Sequence, residues 1–511
     1  MAAGRLRTGF GVWMVVGSLA AAGCGAGAGA ATGAGAGDAA DGVAGATSGG
    51  QARRPNIVFV LTDDLDSSLV RYMPQVRRMY RDGVGFGNYS VTDSLCCPSR
   101  ASTFSGRFPH NTGVFTNVPP DGGFQVFHDR GEEKTTFATR LQRAGYHTAM
   151  MGKYLNGYRP GRPRAGHGYV PPGWNEWDVA GNGYPEYGYV LDHNGEPVRY
   201  GHRPKDYLTD VLAAKSTSFI RRQASAGNPF MLEVATFAPH GPATPAPRDR
   251  DDFPGLKAPR GPSFNEPDIS DKPGWLRDHP RLTRKQIARI GRTYRRRARS
   301  VQAVDDMLAK LRATLRATGQ AANTYVVFSS DNGFHLGQHR LAAGKQTAFD
   351  TDVHVPFVVT GPGVPAGRIV SAPAENIDLC PTFTALGGAS PVNADGHSLA
   401  GLMHGRAPGP GWRDAALVEH HGPNTGRNDP DRQTRTAGNP PTYAALRTTT
   451  ATYVEYENGG REYYDRRDDP YQLTNTYGSL PAGQRDRLHV TLARLRTCDG
   501  TAACDKAARL P

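Results

Sequence analysis

Cysteine is scarce in this chain, with six in 511 residues. That excludes a small fold stapled by many disulfides. No cysteine or histidine spacing resembles a zinc site. No internal repeats are visible. The apolar run from Phe10 to Ala22 is too short for a comfortable membrane span. Acidic residues are outnumbered: 47 Asp and Glu against 60 Lys and Arg give a formal charge of +13. Such a balance suits polyanionic partners. No nucleic-acid recognition motif accompanies it, so no nucleic acid partner is expected. The dense run Arg292, Arg295, Arg296, Arg297 and Arg299 lies in a long helical pattern that continues through Val301, Val304, Leu308 and Leu311. It reads as a solvated helix face.

The N-terminus reads as an address and not as fold. Arg5 and Arg7 precede the apolar run, which ends in Ala21-Ala22-Gly23-Cys24. A basic start, a short apolar core and small residues before the cut describe an export signal over residues 1–23. The small residues before Cys24 resemble a bacterial lipobox, which would make Cys24 a lipidated first residue. A simple cleaved secretory signal is the other reading. The two predict a bacterial cell-surface lipoprotein or a secreted protein, with membrane contact only through a lipid at Cys24. Residues 24–50 are Gly/Ala-rich and read as a flexible tether. Cys498 and Cys504 are close in sequence, and a short disulfide loop is the natural reading in an oxidising compartment. Cys97 and Cys380 either pair or stay as buried thiols.

The run Pro55-Asn56-Ile57-Val58-Phe59-Val60-Leu61 is a buried strand by pattern. Similar runs recur at Tyr146 to Met151, Phe230 to Thr236, Tyr325 to Phe328 and Val355 to Val359. Helical patterns lie between them, near Thr135 to Ala144, Asp206 to Arg222 and Thr283 to Thr318. This alternation predicts an α/β domain over residues 51–410 with a largely parallel, buried sheet. From about Gly411 the pattern changes to short strands (416–419, 443–447, 452–457, 462–465) and a last helix near Gly483 to Arg496. Residues 411–511 therefore read as a small antiparallel subdomain.

Chemistry clusters just after the strands, the edge where open α/β sheets bind ligands. The first strand ends in Asp63-Asp64 and a later one in Asp331-Asn332. Three carboxylates and an amide carbonyl make an all-oxygen set for a hard cation, Ca²⁺ with Mg²⁺ as the alternative. Between them stands Cys96-Cys97-Pro98-Ser99-Arg100, with Gly106 six residues after the Arg. A helix should begin over Pro98 to Ser105, with Pro near its first turn. That places residue 96 at a helix N-terminus, a natural anion site.

The pattern C-x-P-S-R followed by that glycine resembles the signature of sulfatases. Register selects Cys96, from which Pro98 is at plus two and Arg100 at plus four. The resemblance implies that Cys96 is oxidised to formylglycine by a formylglycine-generating enzyme. The hydrated aldehyde is then the nucleophile, splitting one hard step into two easier ones. It implies Asp63, Asp64, Asp331 and Asn332 as ligands of the metal, with residue 96 completing the shell, and Arg100 steadying the diol. Met151-Gly152-Lys153-Tyr154-Leu155-Asn156 corresponds to the family's Gly-Lys-Trp-His segment. Lys153 matches the sulfate-binding lysine, while Leu155 stands where many relatives carry a His. Ala238-Pro239-His240-Gly241-Pro242 resembles the family's Pro-His motif, whose His can protonate the leaving alcohol. Lys345 matches the late lysine that binds sulfate and the ester oxygen, and His335 is read as a substrate contact.

The resemblance runs from Asn56 to the C-terminus and implies the alkaline-phosphatase-like α/β sandwich with a small C-terminal subdomain. One branch is most similar, the N-acetylglucosamine-6-sulfatases acting on heparan and keratan sulfate. It shares Cys-Cys-Pro-Ser-Arg, the missing His, Gly173-Trp174, Asp206 to Leu212 and the two-cysteine C-terminus. A glycosaminoglycan-type sulfated sugar is thus the expected substrate, and it suits the basic charge. The alternatives are a broad arylsulfatase, a phosphoric or phosphonate ester hydrolase of the same superfamily, and a non-catalytic surface lipoprotein that binds sulfated glycans.

Overall fold

The computed structural model describes residues 54–510, apart from 162, 165, 166 and 428. The export signal, the tether and Cys24 lie outside the described residues. Among those described, no helix is long and apolar enough to cross a membrane.

Ten strands build the main sheet: β1 (Asn56–Thr62), β2 (Val84–Phe86), β3 (His147–Lys153), β4 (Glu176–Ala180), β5 (Val190–His193), β6 (Glu196–Arg199), β7 (Phe230–Ala235), β8 (Thr324–Ser330), β9 (Phe357–Thr360) and β10 (Arg368–Val370). Their order is β10-β2-β9-β8-β1-β7-β3-β4-β5-β6. The central five, β8-β1-β7-β3-β4, run parallel. The flanks are mixed, with β9 antiparallel to both β8 and β2, and β5 and β6 turning back in hairpins.

Strands β1, β3, β7 and β8 read as largely apolar runs because both faces are covered. Along β1, Ile57, Phe59 and Leu61 enter one core and Val58 and Val60 the other. Helix α1 (Cys96–Ser105) lies in the first layer, where Cys97, Ala101 and Phe104 pack. Helices α2 (Leu208–Ala226) and α3 (Arg284–Ala317) cover the second, through residues such as Leu212, Ile220, Tyr294, Val301 and Leu308. Thr283 caps α3 reciprocally with Gln286, which fixes where that long helix starts.

A second sheet of four antiparallel strands, β11 (Ala415–His420), β12 (Tyr443–Thr448), β13 (Ala451–Tyr456) and β14 (Arg461–Asp465), follows in chain order. Helix α4 (Ala482–Leu495) packs on it through Leu488, Leu492 and Leu495. Cys498 and Cys504 are disulfide-bonded, as their spacing predicts. Cys97 and Cys380 are separate buried thiols. The short strands β2, β4, β5, β6 and β10 carry too few residues to show a period, and the sequence pattern passes over them.

Candidate active site

Parallel register decides which acidic residues meet. Thr62 ends β1 beside Ser330, which ends β8. The residues that follow, Asp63-Asp64 and Asp331-Asn332, therefore leave the sheet side by side. The Asp331 N–H donates to the Thr62 carbonyl at 3.0 Å, and the Asp64 N–H to Asp331 Oδ1 at 3.1 Å. Asp64 has φ 66°, a left-handed conformation that Asp tolerates better than most residues. Arg297 pins it there by donating to the carbonyls of Asp64 and Pro239. This corrects the solvated-face reading of the arginine run. Arg297 is 1% exposed and lies 4.0 Å from the Phe334 ring centre, while Arg292 and Arg296 are exposed. Its place on the face shared with Tyr294, Val301 and Val304 puts it inside.

Helix α1 begins at Cys96 itself, two residues before Pro98, and every one of its residues is buried. Cys96 Sγ lies 3.0 Å from Asp63 Oδ1 and 3.9 Å from Asp64 Oδ1. Burial pushes this thiol well above its usual range, and Asp331, Asp431 and Asp63 add to the shift. The encoded side chain is accordingly a neutral thiol. One turn on, Arg100 donates from Nε to Asp331 Oδ2 at 2.8 Å and from Nη1 to the Lys153 carbonyl at 2.7 Å. It braces the acidic strand end and the lysine strand at once.

The two lysines reach the cluster from different elements. Lys153, the last residue of β3, places Nζ 2.6 Å from Asp63 Oδ2. Lys345 places Nζ 2.6 Å from Asp64 Oδ1, 2.9 Å from Cys96 Sγ and 3.0 Å from Asp431 Oδ1. Burial alone would lower both ammonium groups. Asp63 for Lys153, and Asp431 with Asp64 for Lys345, raise them well above the usual lysine value.

His240 follows β7. Its Nδ1 is 2.7 Å from the Gly241 carbonyl and its Nε2 2.7 Å from Asp431 Oδ1. Both partners are acceptors, so both ring nitrogens carry protons. Burial opposes that charge, but Asp64, Asp431 and Asp63 override it and raise the imidazole to about 9. Asp431 is held well below the carboxylate range against burial, by Lys345 and His240.

Asp431 has no counterpart among the sequence candidates. It lies in a Pro/Asn/Gly-rich stretch after β11 with no motif around it, and only the fold reveals its position. Asn117 ties it to the nucleophile helix: its Nδ2 donates to Asp431 Oδ2 at 2.8 Å and its Oδ1 accepts from the Cys97 N–H at 2.9 Å.

His335 does not fit a substrate contact. It is 1% exposed and donates from Nδ1 to Asp352 and from Nε2 to the Ala437 carbonyl at 2.8 Å. Its backbone pairs with Gly344 in both directions, which positions Lys345. Leu155 is buried in the core beside α1, so no base replaces the missing His at that position. Asn156, next to it, donates to the Tyr184 hydroxyl at 3.3 Å, while its amide oxygen has no partner. The Tyr184 ring centre lies 5.1 Å from Lys153 Nζ and 4.5 Å from that of His240, the two planes tilted by 48°. From these residues a cleft of about 1060 Å³ opens outward.

The residues fit a hard cation. Asp63, Asp64, Cys96 and Asp331 offer ligand atoms within 4.8 Å of one another, all buried. Asn332 donates from Nδ2 to Asp64 Oδ1 at 2.8 Å, and its own Oδ1 is buried without a partner. An oxygen-rich set with one orphaned carbonyl suits Ca²⁺ or Mg²⁺ better than Zn²⁺.

Comparison with known proteins agrees with this arrangement. A sequence model of the family described as Sulfatase matches residues 55–389. The N-acetylglucosamine-6-sulfatase of Capra hircus is 33% identical over 90% of this chain and 86% of its own length. A solved structure of a protein in complex with its substrate D-glucosamine-2-N,6-O-disulfate has TM-score 0.71 at 23% identity, covering 86% of this chain and 97% of that one. The phosphonate monoester hydrolase of Agrobacterium radiobacter has TM-score 0.66 at 22% identity, over 88% and 97% of the two chains, a likeness of fold alone. With a strand-end acidic cluster, the C-x-P-S-R helix and matches over most of its length, this chain belongs to the sulfatase family and is a sulfuric ester hydrolase.

Proposed function

We propose that the protein hydrolyses sulfate esters of sulfated sugars, of N-acetylglucosamine-6-sulfate or glycosaminoglycan type, after conversion of Cys96 to formylglycine. The observation that carries this is a convergence. Residue 96, Lys153, Lys345 and the His240 cation all meet the carboxylates of Asp63 and Asp64 at one sheet edge. Formylglycine supplies a hydrated aldehyde as nucleophile, a chemistry the neutral thiol lacks. A divalent cation held by Asp63, Asp64, Asp331, Asn332 and residue 96 supplies charge stabilisation on the sulfate oxygens.

The chain's own residues do the rest. Lys153 and Lys345 bind the sulfate oxygens, and Lys345 also reaches the ester oxygen. Arg100 holds Asp331 and the Lys153 backbone in place from behind. His240 gives the proton on Nε2 to the departing sugar alkoxide, and Asp431 keeps that nitrogen protonated until then. The sugar assignment draws support from the relatives, an N-acetylglucosamine-6-sulfatase and a protein holding a glucosamine disulfate. Maturation requires a formylglycine-generating enzyme in the same organism. Export, as a lipoprotein or a secreted enzyme, is the location this reading entails.

Peptide mass spectrometry tests it. The peptide containing residue 96 should carry the aldehyde, and Cys96→Ala should lose activity on N-acetylglucosamine-6-sulfate. A thiol at residue 96 in fully active protein would sink the mechanism.

A further inference from the structure

The cleft beside the catalytic pocket holds more polar chemistry than a single sulfate ester uses. It is lined by Asn117, which bonds to Asp431, by Tyr184, which lies beside Lys153 and His240, by Asn156, which bonds to Tyr184, and by Arg159 and Arg427. Both arginines are exposed, and among the described residues neither has a carboxylate partner. That contrasts with the catalytic pocket, where each cation is paired. Two guanidinium groups in one cleft without counter-charge make it a positive trough. A second observation is independent of charge. Asn156, which also lines the cleft, is 8% exposed, and its amide oxygen is buried without a hydrogen-bond partner. Buried acceptors of this kind are normally satisfied, so a donor is expected from a ligand or water.

We infer that the cleft receives a second acidic group of the substrate, a sulfate or carboxylate, with Arg159 and Arg427 as its counter-charges. This rests on the sulfated-sugar reading of the catalytic pocket and extends it to a polyanionic saccharide. A planar guanidinium grips either oxyanion through paired N–H donors. The acidic group comes from the sugar that carries the scissile ester or from its neighbour.

The test compares the mature wild-type enzyme with Arg159→Gln, Arg427→Gln and the double variant. The substrates are 4-nitrophenyl sulfate, glucosamine 2-N,6-O-disulfate, and a disaccharide of a 6-sulfated glucosamine and a uronic acid. Glucosamine 2-N-sulfate, which lacks the scissile ester, serves as an inhibitor of nitrophenyl sulfate turnover. The double variant should lose about tenfold in kcat/KM on an acidic sugar, mostly through KM, on the scale of partly exposed ion pairs. The loss should shrink with added salt, while nitrophenyl sulfate turnover stays within about twofold, since that substrate presents no second anion to pair. A loss on the disulfate assigns the group to the same sugar, and a loss confined to the disaccharide assigns it to the neighbour. Unchanged kinetics on both, or an equal loss on nitrophenyl sulfate, overturns the inference. A wild-type enzyme that turns over no sugar sulfate, yet is inhibited by glucosamine 2-N-sulfate only when both arginines are present, keeps the cleft and refutes the sugar-ester reading. Absence of such inhibition in that enzyme refutes both.

Discussion

Asp431→Asn is the sharpest perturbation of the proposed proton transfer. The wild-type carboxylate lies 2.7 Å from His240 Nε2, and the imidazole is raised to about 9. Asp64 and Asp63 contribute to that value, but a cation bound among them would offset their charge. Asp431, outside the ligand set, is then the partner that keeps the ring protonated. Suppose the substitution returns His240 to its ordinary value near 6.5. With a cation offsetting Asp64 and Asp63 the wild-type value lies at or below about 9, so at pH 8 the protonated fraction drops from at most about 90% to about 3%, up to roughly a 30-fold loss of acid catalyst. At pH 6 both forms stay mostly protonated and the loss is small. The sign is fixed by the raised value: the charged ring persists below it and is lost as pH rises through it. The assay is kcat/KM against pH on N-acetylglucosamine-6-sulfate and on 4-nitrophenyl sulfate, with thermal melting to check the fold. The basic limb should move down by one to about two and a half units on the sugar, and far less activity should be lost on the aryl ester, whose leaving group needs little acid help. An unmoved basic limb, or an equal loss on both substrates at every pH, would refute the role given to Asp431.

Other outcomes follow from the same geometry. His240→Ala should cost about 10²–10⁴-fold on a sugar 6-sulfate and much less on nitrophenyl sulfate, whereas Lys153→Ala should damage both alike because both present the same sulfate. Exhaustive chelation should abolish activity and Ca²⁺ or Mg²⁺ restore it; restoration by Zn²⁺ alone would contradict the oxygen-ligand assignment. Asp350 pairs with Arg447 through two hydrogen bonds of 2.9 Å and with Arg466 through a third, and these arginines hold its carboxyl far below the usual range although burial works against it. Asp350→Asn should therefore destabilise the fold by about 3–5 kcal/mol at neutral pH, and the gap in Tm from wild type should begin to narrow below about pH 4 and go on narrowing as pH falls toward the depressed folded-state value.

The large sheet was legible because its central strands are buried on both faces. Ile57 to Leu61 is apolar without interruption and Phe230 to Ala235 is apolar but for Glu233, and both runs end in polar residues that mark the binding edge. The outer strands Val84–Phe86 and Arg368–Val370 are three residues each, and nothing local distinguishes them from loop. The motif residues were legible for a related reason. Asp63-Asp64, Cys96, Lys153, His240 and Asp331-Asn332 each sit beside a regular element, so a short pattern predicts their position. Asp431 sits in irregular chain, and its place depends on Asn117, Asp429 and His240 acting together. Arg297 was misread because the run around it is basic on all sides. Only the packing of α3 shows which arginine of the run turns inward.

The charge balance of the pocket explains why these scattered residues must act as a set. Asp63, Asp64, Asp331 and Asp431 face Arg100, Lys153, Lys345 and protonated His240, all of them buried. Each charge alone would cost several kcal/mol to desolvate, and a single unpaired member would destabilise the rest. Each of these four carboxylates touches at least one cation, and Lys345 touches two carboxylates. A buried network of this kind is poor value for stability, because apolar packing would serve the fold as well or better. What it provides is two ammonium groups and one imidazolium fixed around residue 96 before substrate arrives. That is the preorganisation a sulfate ester requires, since negative charge on its oxygens and on the departing alkoxide must find its partners already in place.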